Sequence, residues 1–147
     1  MDGIRVGVSV GEGMETVKAK VVSFRDLDVY RRTYEASVMV MTKIIPKLPA
    51  NEKYDLRDQL SRSCKAVPRL IAEGYGRRTQ QKGFQKYLED ALAECNETIV
   101  SLSHCVDIYP MAVDSKLCRE LIDDYEIAGK QIYRLGESWN RLKGRTK

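Results

Sequence analysis

The residues best suited to chemistry cluster at the middle of the chain. Ile71-Ala72-Glu73-Gly74-Tyr75-Gly76-Arg77-Arg78 runs from an apolar helix end into two glycines and then two arginines. Glycine lets a helix stop in a left-handed turn and leaves backbone N–H groups open. Two guanidinium groups beside such a turn make an anion-binding corner. The plainer reading is a helix C-cap whose cations complement the helix dipole. Just upstream, Arg62, Lys65 and Arg69 stand three and four residues apart, which puts them on one face of a helix. Such a stripe binds phosphate, with affinity falling as salt rises. Alternatively it pairs with Glu89, Asp90 and Glu94 further along. A second basic group closes the chain: Arg134, Arg141, Lys143, Arg145 and Lys147. Of these, Arg141, Lys143 and Arg145 are candidates for weaker phosphate contacts, or form a solubilising tail. Tyr75, Tyr87 and Tyr133 lie beside basic residues and could stack on bases, or simply margin a bundle.

Other chemistries find poor support. Cys64, Cys95, Cys105 and Cys118 form no C-x-x-C pair, and His104 is the single histidine. Neither a zinc finger nor the Glu-x-x-His ligand set of di-metal bundles can be assembled, since Ser101 stands three residues before His104. Cys105 and His104 are adjacent, so on a helix they point apart and make no nucleophile–base pair. Glu73 and Glu97 could meet in a core, but pairing with a cation explains them more cheaply. Gly74-Tyr75-Gly76 fits no phosphate-loop spacing. No enzyme activity, metal or cofactor is expected. Cys64 and Cys95 fall at apolar helix positions, where free cysteine is a small hydrophobe, and the four thiols are read as reduced, buried or idle.

These side chains need a scaffold, and the chain supplies one. Its 147 residues suffice for a single domain, 43% are hydrophobic and 31% charged, and only four are proline. No apolar run reaches the length of a membrane span, and the first twenty residues lack a hydrophobic signal core, so a cytoplasmic location is expected. The net charge of +4 is unevenly spread. Residues 24–48 carry +2, 49–78 carry +3, 79–111 carry −3 and 112–147 carry +2. That asymmetry could align helices within a bundle or between subunits.

The spacing predicts four helices. The first spans about Asp26 to Ile45, with Leu27, Tyr30, Tyr34, Ser37 or Val38, Met41 and Ile44 or Ile45 as its stripe. Pro46 and Pro49 end it. The second spans Asn51, a candidate N-cap, to Glu73, with Leu56, Leu60, Cys64, Val67 and Ile71 apolar and a kink expected at Pro68. The third runs from a Thr79 cap to Tyr109 through Phe84, Leu88, Ala91, Cys95, Ile99, Leu102 and Val106. The fourth runs from Ser115 to Lys143, capped by Asp114, through Leu117, Leu121, Tyr125, Ala128, Ile132, Leu135, Trp139 and Leu142. The fold class is therefore all-α: an antiparallel up-down-up-down four-helix bundle over residues 24–147. Residues 1–23, interrupted by four glycines, read as a flexible leader or a short extended arm. Val6, Val8 and Val10 alternate as in a weak strand.

Several motifs in order and spacing match a known family. They are Phe24-Arg25-Asp26-Leu27-Asp28-Val29-Tyr30, Glu52-Lys53-Tyr54-Asp55-Leu56 followed by Gln59-Leu60, Ile71 to Arg77, Ala91-Leu92-Ala93-Glu94-Cys95-Asn96-Glu97-Thr98, and Tyr125-Glu126-Ile127-Ala128-Gly129-Lys130. On these the chain resembles the bacterial four-helix bundle proteins of the 23S rRNA-intervening sequence family. It departs from the family pattern at Ala66, usually serine, at Leu70, usually asparagine, and at Ala93, commonly glycine. Leu70 makes its helix junction apolar, without the polar role of the family's asparagine. The resemblance implies a homopentamer around a central channel and no established catalysis. The family is similar to the accessory variability proteins of diversity-generating retroelements, and Gly136-Glu137-Ser138-Trp139 is mildly like theirs. That similarity implies nucleic acid, structured RNA foremost, and a reverse transcriptase as partners, met through basic surfaces. The alternative is an adaptor or scaffold whose cations meet an acidic protein. No membrane partner is expected.

Overall fold

The structure, a computed structural model, describes the backbone of residues 4–10, 15–80 and 82–145, and side chains from Lys20 to Leu142 except residue 81. Four long helices carry it: α1 (Asp28–Met39), α2 (Leu56–Gly76), α3 (Gly83–Ile108) and α4 (Ser115–Arg145). Each packs on its chain neighbours, and α1 also packs on α4, closing the antiparallel bundle. The stripes of α2, α3 and α4 fall on the core as their spacing requires. Leu60, Cys64, Val67, Ile71, Ala91, Cys95, Leu102, Tyr125 and Ala128 are wholly enclosed.

The first helix departs most from expectation. The chain enters through Ser23, whose hydroxyl accepts from Arg25 N while Asp26 accepts from Ser23 N at 3.0 Å, a capping box on a short 3-10 turn. α1 is regular only to Met39, then widens into a π turn over Val40–Ile44. Its buried side is Val29, Thr33, Ala36, Ser37, Val40 and Ile44, whereas Tyr34 and Val38 are exposed. The stripe read from the sequence thus holds at Leu27, Ser37, Ile44 and Ile45 and fails at Tyr34 and at the Val38 alternative. Thr33 and Ser37 can face the core because their hydroxyls donate back to the carbonyls of Val29 (2.8 Å) and Tyr34 (2.6 Å).

Other boundaries also shift. α2 begins at Leu56, not Asn51. Residues Ala50–Glu52 form a 3-10 turn, and Glu52 rather than Asn51 serves the helix start, accepting from Leu56 N at 3.3 Å. Glu52 also accepts a short hydrogen bond from the Tyr109 hydroxyl, tying the α1–α2 and α3–α4 turns together at one end. α2 runs uninterrupted through Pro68, whose ring is buried, so the expected kink does not break it. α3 starts at Gly83, four residues beyond Thr79, after Lys82 in the left-handed region (φ 61°). Asp114 does cap α4, accepting from Leu117 N at 3.1 Å.

Ahead of the bundle, β1 (Ile4–Val10) and β2 (Glu15–Val21) pair antiparallel, with Ile4 opposite Val21 and Val8 opposite Val17. Val21, at the end of β2, is fully buried.

The glycines at the end of α2 do different work from that expected. Both lie inside the helix and neither adopts a left-handed conformation. A Cβ at Gly74 would lie 2.7 Å from Tyr87 Cβ and 3.0 Å from the Phe84 ring, whereas one at Gly76 would meet nothing within 4 Å. Gly74→Ala should therefore destabilise the bundle by about 1–3 kcal/mol, as overpacking does. Gly76→Ala should stabilise it by up to about 1 kcal/mol through helix propensity. Urea unfolding of the two variants beside the parent checks both signs.

Candidate nucleic-acid interface

The outward face of α2 follows from its inward one. With Leu60, Cys64, Val67 and Ile71 in the core, Arg62, Lys65 and Arg69 are left on the opposite side, and all three are exposed. The structure brings this triad together as the spacing required. Arg62 Nε approaches Asp58 one turn earlier at 3.4 Å, an open i,i+4 pair on a 75% exposed side chain. Lys65 and Arg69 make no ion pair within 4.0 Å among the described residues. The expected alternative, pairing with α3, is met only in outline. Asp90 is taken by Lys86 at 3.4 Å. Glu94 is held above its ordinary carboxylate pKa by partial burial and then by Glu97, while Arg62 pulls it down without touching it. The line is bounded by Asp58 and Glu73, so its ends are acidic and its centre is not.

Arg77 and Arg78 sit at the α2 C-terminus but form no glycine-lined anion corner. Arg78 Nη1 donates to the Tyr75 carbonyl at 2.9 Å and its guanidinium lies 4.1 Å above the Tyr75 ring. Arg77 stacks at 5.7 Å over Tyr87 of α3. These contacts match the capping alternative, since cations and donors at a helix C-terminus satisfy its last carbonyls. The backbone turn is set instead by Lys82 and by Gly83, where a Cβ would lie 2.5 Å from the Arg77 carbonyl oxygen. Arg77 remains exposed and can still offer donors outward, whereas Arg78 is half-buried.

The C-terminal group divides. Arg141 is exposed and donates to Ser138 Oγ at 3.3 Å. The side chains of Lys143 and Arg145, and all of Lys147, lie outside the described residues. Arg134 is exposed beside Tyr133, which is itself 63% exposed. Tyr75 is corrected outright: it is buried, edge-on to Phe84 and Trp139 at centroid distances of 6.2 and 6.5 Å, and cannot stack on a base. Tyr87 is half-covered beneath Arg77. Sequence reasoning missed Tyr54, the most open aromatic ring, with Lys53 Nζ 5.3 Å from its centroid. The available signal was its position in the Pro49–Leu56 turn, off every apolar stripe.

The cysteines behave as packing groups. Burial is the main cause that pushes Cys64 and Cys118 up to about 11 and Cys95 and Cys105 up to about 12, from an ordinary 9.0. Among the described residues no three His, Cys, Asp or Glu side chains gather as a metal site, and no helix is long and apolar enough to cross a membrane. Glu73 and Glu97 are both exposed and do not meet in the core.

One family model, that of the 23S rRNA-intervening sequence protein, matches residues 25–134. The chain belongs to this family. Comparison with curated proteins finds no match. In this 23S rRNA-intervening sequence protein, the triad on α2, the Arg77–Arg78 cap and Leu70 lie inside the matched stretch. The β-hairpin and Arg141 lie outside it. Leu70, at the position where the family resemblance expects asparagine, is partly buried against the core.

Buried thiols with raised pKa values predict low reactivity and an alkaline limit. Because the unfolded chain loses these protons first, the cysteines' contribution to stability is intact below pH 9 and declines as pH rises towards 11–12. Alkylation with iodoacetamide at pH 8 should label none of the four thiols in the folded protein and all four in denaturant, read by intact mass.

Proposed function

We propose that this protein is a non-enzymatic, homo-oligomeric helical bundle that binds nucleic acid, structured RNA in particular, through its basic surfaces. The observation that carries this reading is the exposed line Arg62–Lys65–Arg69, in which Lys65 and Arg69 make no ion pair among the described residues. Cations held on a rigid helix one turn apart meet successive phosphates without ordering themselves first. Arg77 and Arg141 extend the contact at the end of the bundle where α2 finishes and α4 continues. Arg78 is largely committed to the helix end. The family name refers to a sequence interrupting ribosomal RNA, which suits an RNA partner. Self-association into a pentamer would repeat each basic line around an axis and multiply its field.

The competing reading is an adaptor for an acidic protein, a reverse transcriptase being the case suggested by the likeness to retroelement accessory proteins. Asp58 and Glu73, which bound the basic line, favour it, because a short alternating pattern suits a matched protein surface better than a long phosphate backbone.

Fluorescence anisotropy with a structured RNA between 50 and 200 mM salt tests the first reading. Affinity should fall steeply over that range. Replacing Arg62, Lys65 and Arg69 together with alanine should weaken binding by about tenfold or more and reduce the salt slope by about 2–3. A salt-independent affinity, or no effect of the triple substitution, would falsify it. In the same buffer, light scattering should give a mass near five times 16.8 kDa.

A further inference from the structure

At the end of the bundle where α2 begins, Tyr54 is 86% exposed, two residues before the helix. The ring is open, but its backbone is held. Leu48 and Leu56 on either side are buried. Lys53 N donates to the Ala50 carbonyl at 3.1 Å, and Asp55 N to the Glu52 carbonyl at 3.1 Å. The Glu52 carboxylate accepts from Leu56 N and from the Tyr109 hydroxyl, which pins this turn to the α3–α4 turn. Lys53 Nζ stands over the ring, 5.3 Å from its centroid, and the opposite face is left to solvent. Other tyrosines are placed differently. Tyr75 and Tyr125 are buried, Tyr87 lies beneath Arg77, and Tyr34 leans on Tyr30 at 5.9 Å. Tyr133 is open, but it rises from α4, the helix diagonal to α2. Tyr54 is the open ring at the foot of the helix that carries the basic line. Arg62 lies six residues beyond Leu56, about 9 Å along the axis, and Lys65 and Arg69 continue from it.

We propose that Tyr54 is a stacking platform for an unpaired RNA base, at the point where a single-stranded segment leaves the phosphate contacts of α2. This rests on the RNA reading of the proposed function and adds the class of RNA, one with an unpaired segment beside its helical part. Charge separates the two roles. Lys65 and Arg69 make no ion pair among the described residues, which suits phosphate. In the turn, exposed Lys53 is matched by exposed Asp55, so the ring's surroundings are close to neutral and gain little from a phosphate. What the turn offers is a planar π face backed by a cation, and every base has a π face to set against it. A base inside a duplex is covered on both faces by its neighbours, so the platform selects unpaired ones. Because the backbone is fixed before the base arrives, little conformational freedom is lost on binding. Ile108 and Met111, exposed at the same end, would suit a protein partner, but neither brings a planar face or a cation.

Fluorescence anisotropy with two RNAs tests this: a blunt-ended duplex, and the same duplex with a single-stranded adenosine tail. Tyr54→Ala should bind the tailed RNA about five- to a hundredfold more weakly and the blunt duplex as the parent does. The salt dependence should stay as it is, because no charge is removed. Tyr54→Trp should restore tight binding to the tail, whereas Tyr54→Leu, which keeps bulk without a π face, should not. A 2-aminopurine placed in the tail should lose fluorescence on binding the parent and keep it with Tyr54→Ala. The side chain is exposed in every case, so circular dichroism should match the parent. Unchanged affinity of Tyr54→Ala for the tailed RNA overturns the platform and leaves the RNA reading standing. An equal loss on both RNAs, rescue by leucine, or a tryptophan no better than alanine does the same, and turns this end of the bundle towards a protein partner. A parent protein that binds neither RNA overturns both readings together.

Discussion

At position 74 there is no room for a side chain. The backbone of α2 passes so near α3 that a methyl group would sit inside the contact distance of Tyr87 and against Phe84. That approach aligns the upper half of the bundle. It sets Phe84 edge-on to Trp139 at 4.9 Å and encloses Tyr75 beside both rings. The two arginines then emerge beyond the contact, one over Tyr75 and one over Tyr87. Their position is a consequence of close packing between helices and not of a flexible glycine turn.

The same packing sorts polar groups into two kinds. Inside, the hydroxyls of Thr33, Ser37, Ser63 and Thr98 are tolerated because each finds a neighbour. Thr98 donates to the Glu94 carbonyl at 2.8 Å and lies 2.9 Å from Ser63 Oγ, linking α2 to α3. Tyr125 is the exception: it is fully enclosed, and its hydroxyl has no partner among the described residues. Burial first, then Cys64, Cys95 and Asp124, hold it above the usual tyrosine range. Outside, long cationic side chains project from α2 while α3 carries the acidic excess. Neighbouring helices of opposite sign attract within one bundle.

Much of the fold was legible because three of the four helices are amphipathic in the plainest sense. From Leu56 to Ile71, from Phe84 to Val106 and from Leu121 to Trp139, apolar residues dominate the buried side even though Ser63, Thr98 and Ser101 share it, so period and phase read correctly. α1 was legible in part: Leu27, Ser37, Ile44 and Ile45 are buried as read, whereas Thr33 was missed and Tyr34 and Val38 lie on an open flank. A hydroxyl that bonds to its own helix is invisible to a hydrophobic pattern. Caps were harder still. Asp114 was legible, but Asn51 and Thr79 were plausible caps that lost to Glu52 and to the left-handed Lys82, and only the meeting of the turns decides such contests.

The candidate site divides along the same boundary. Residue identity and helical spacing by themselves determined that Arg62, Lys65 and Arg69 share a face, that Cys64 and Cys95 fall on apolar positions, and that an acidic third segment lies between basic ones. These are properties of one helix at a time, and the 100° step of the helix is enough to derive them. Only tertiary structure decided that Tyr75 is interior, that Arg78 is spent on a carbonyl and a ring, and that the glycines serve close approach. Each of these depends on what a second helix places within a few ångströms, and such distances are not written in any local period.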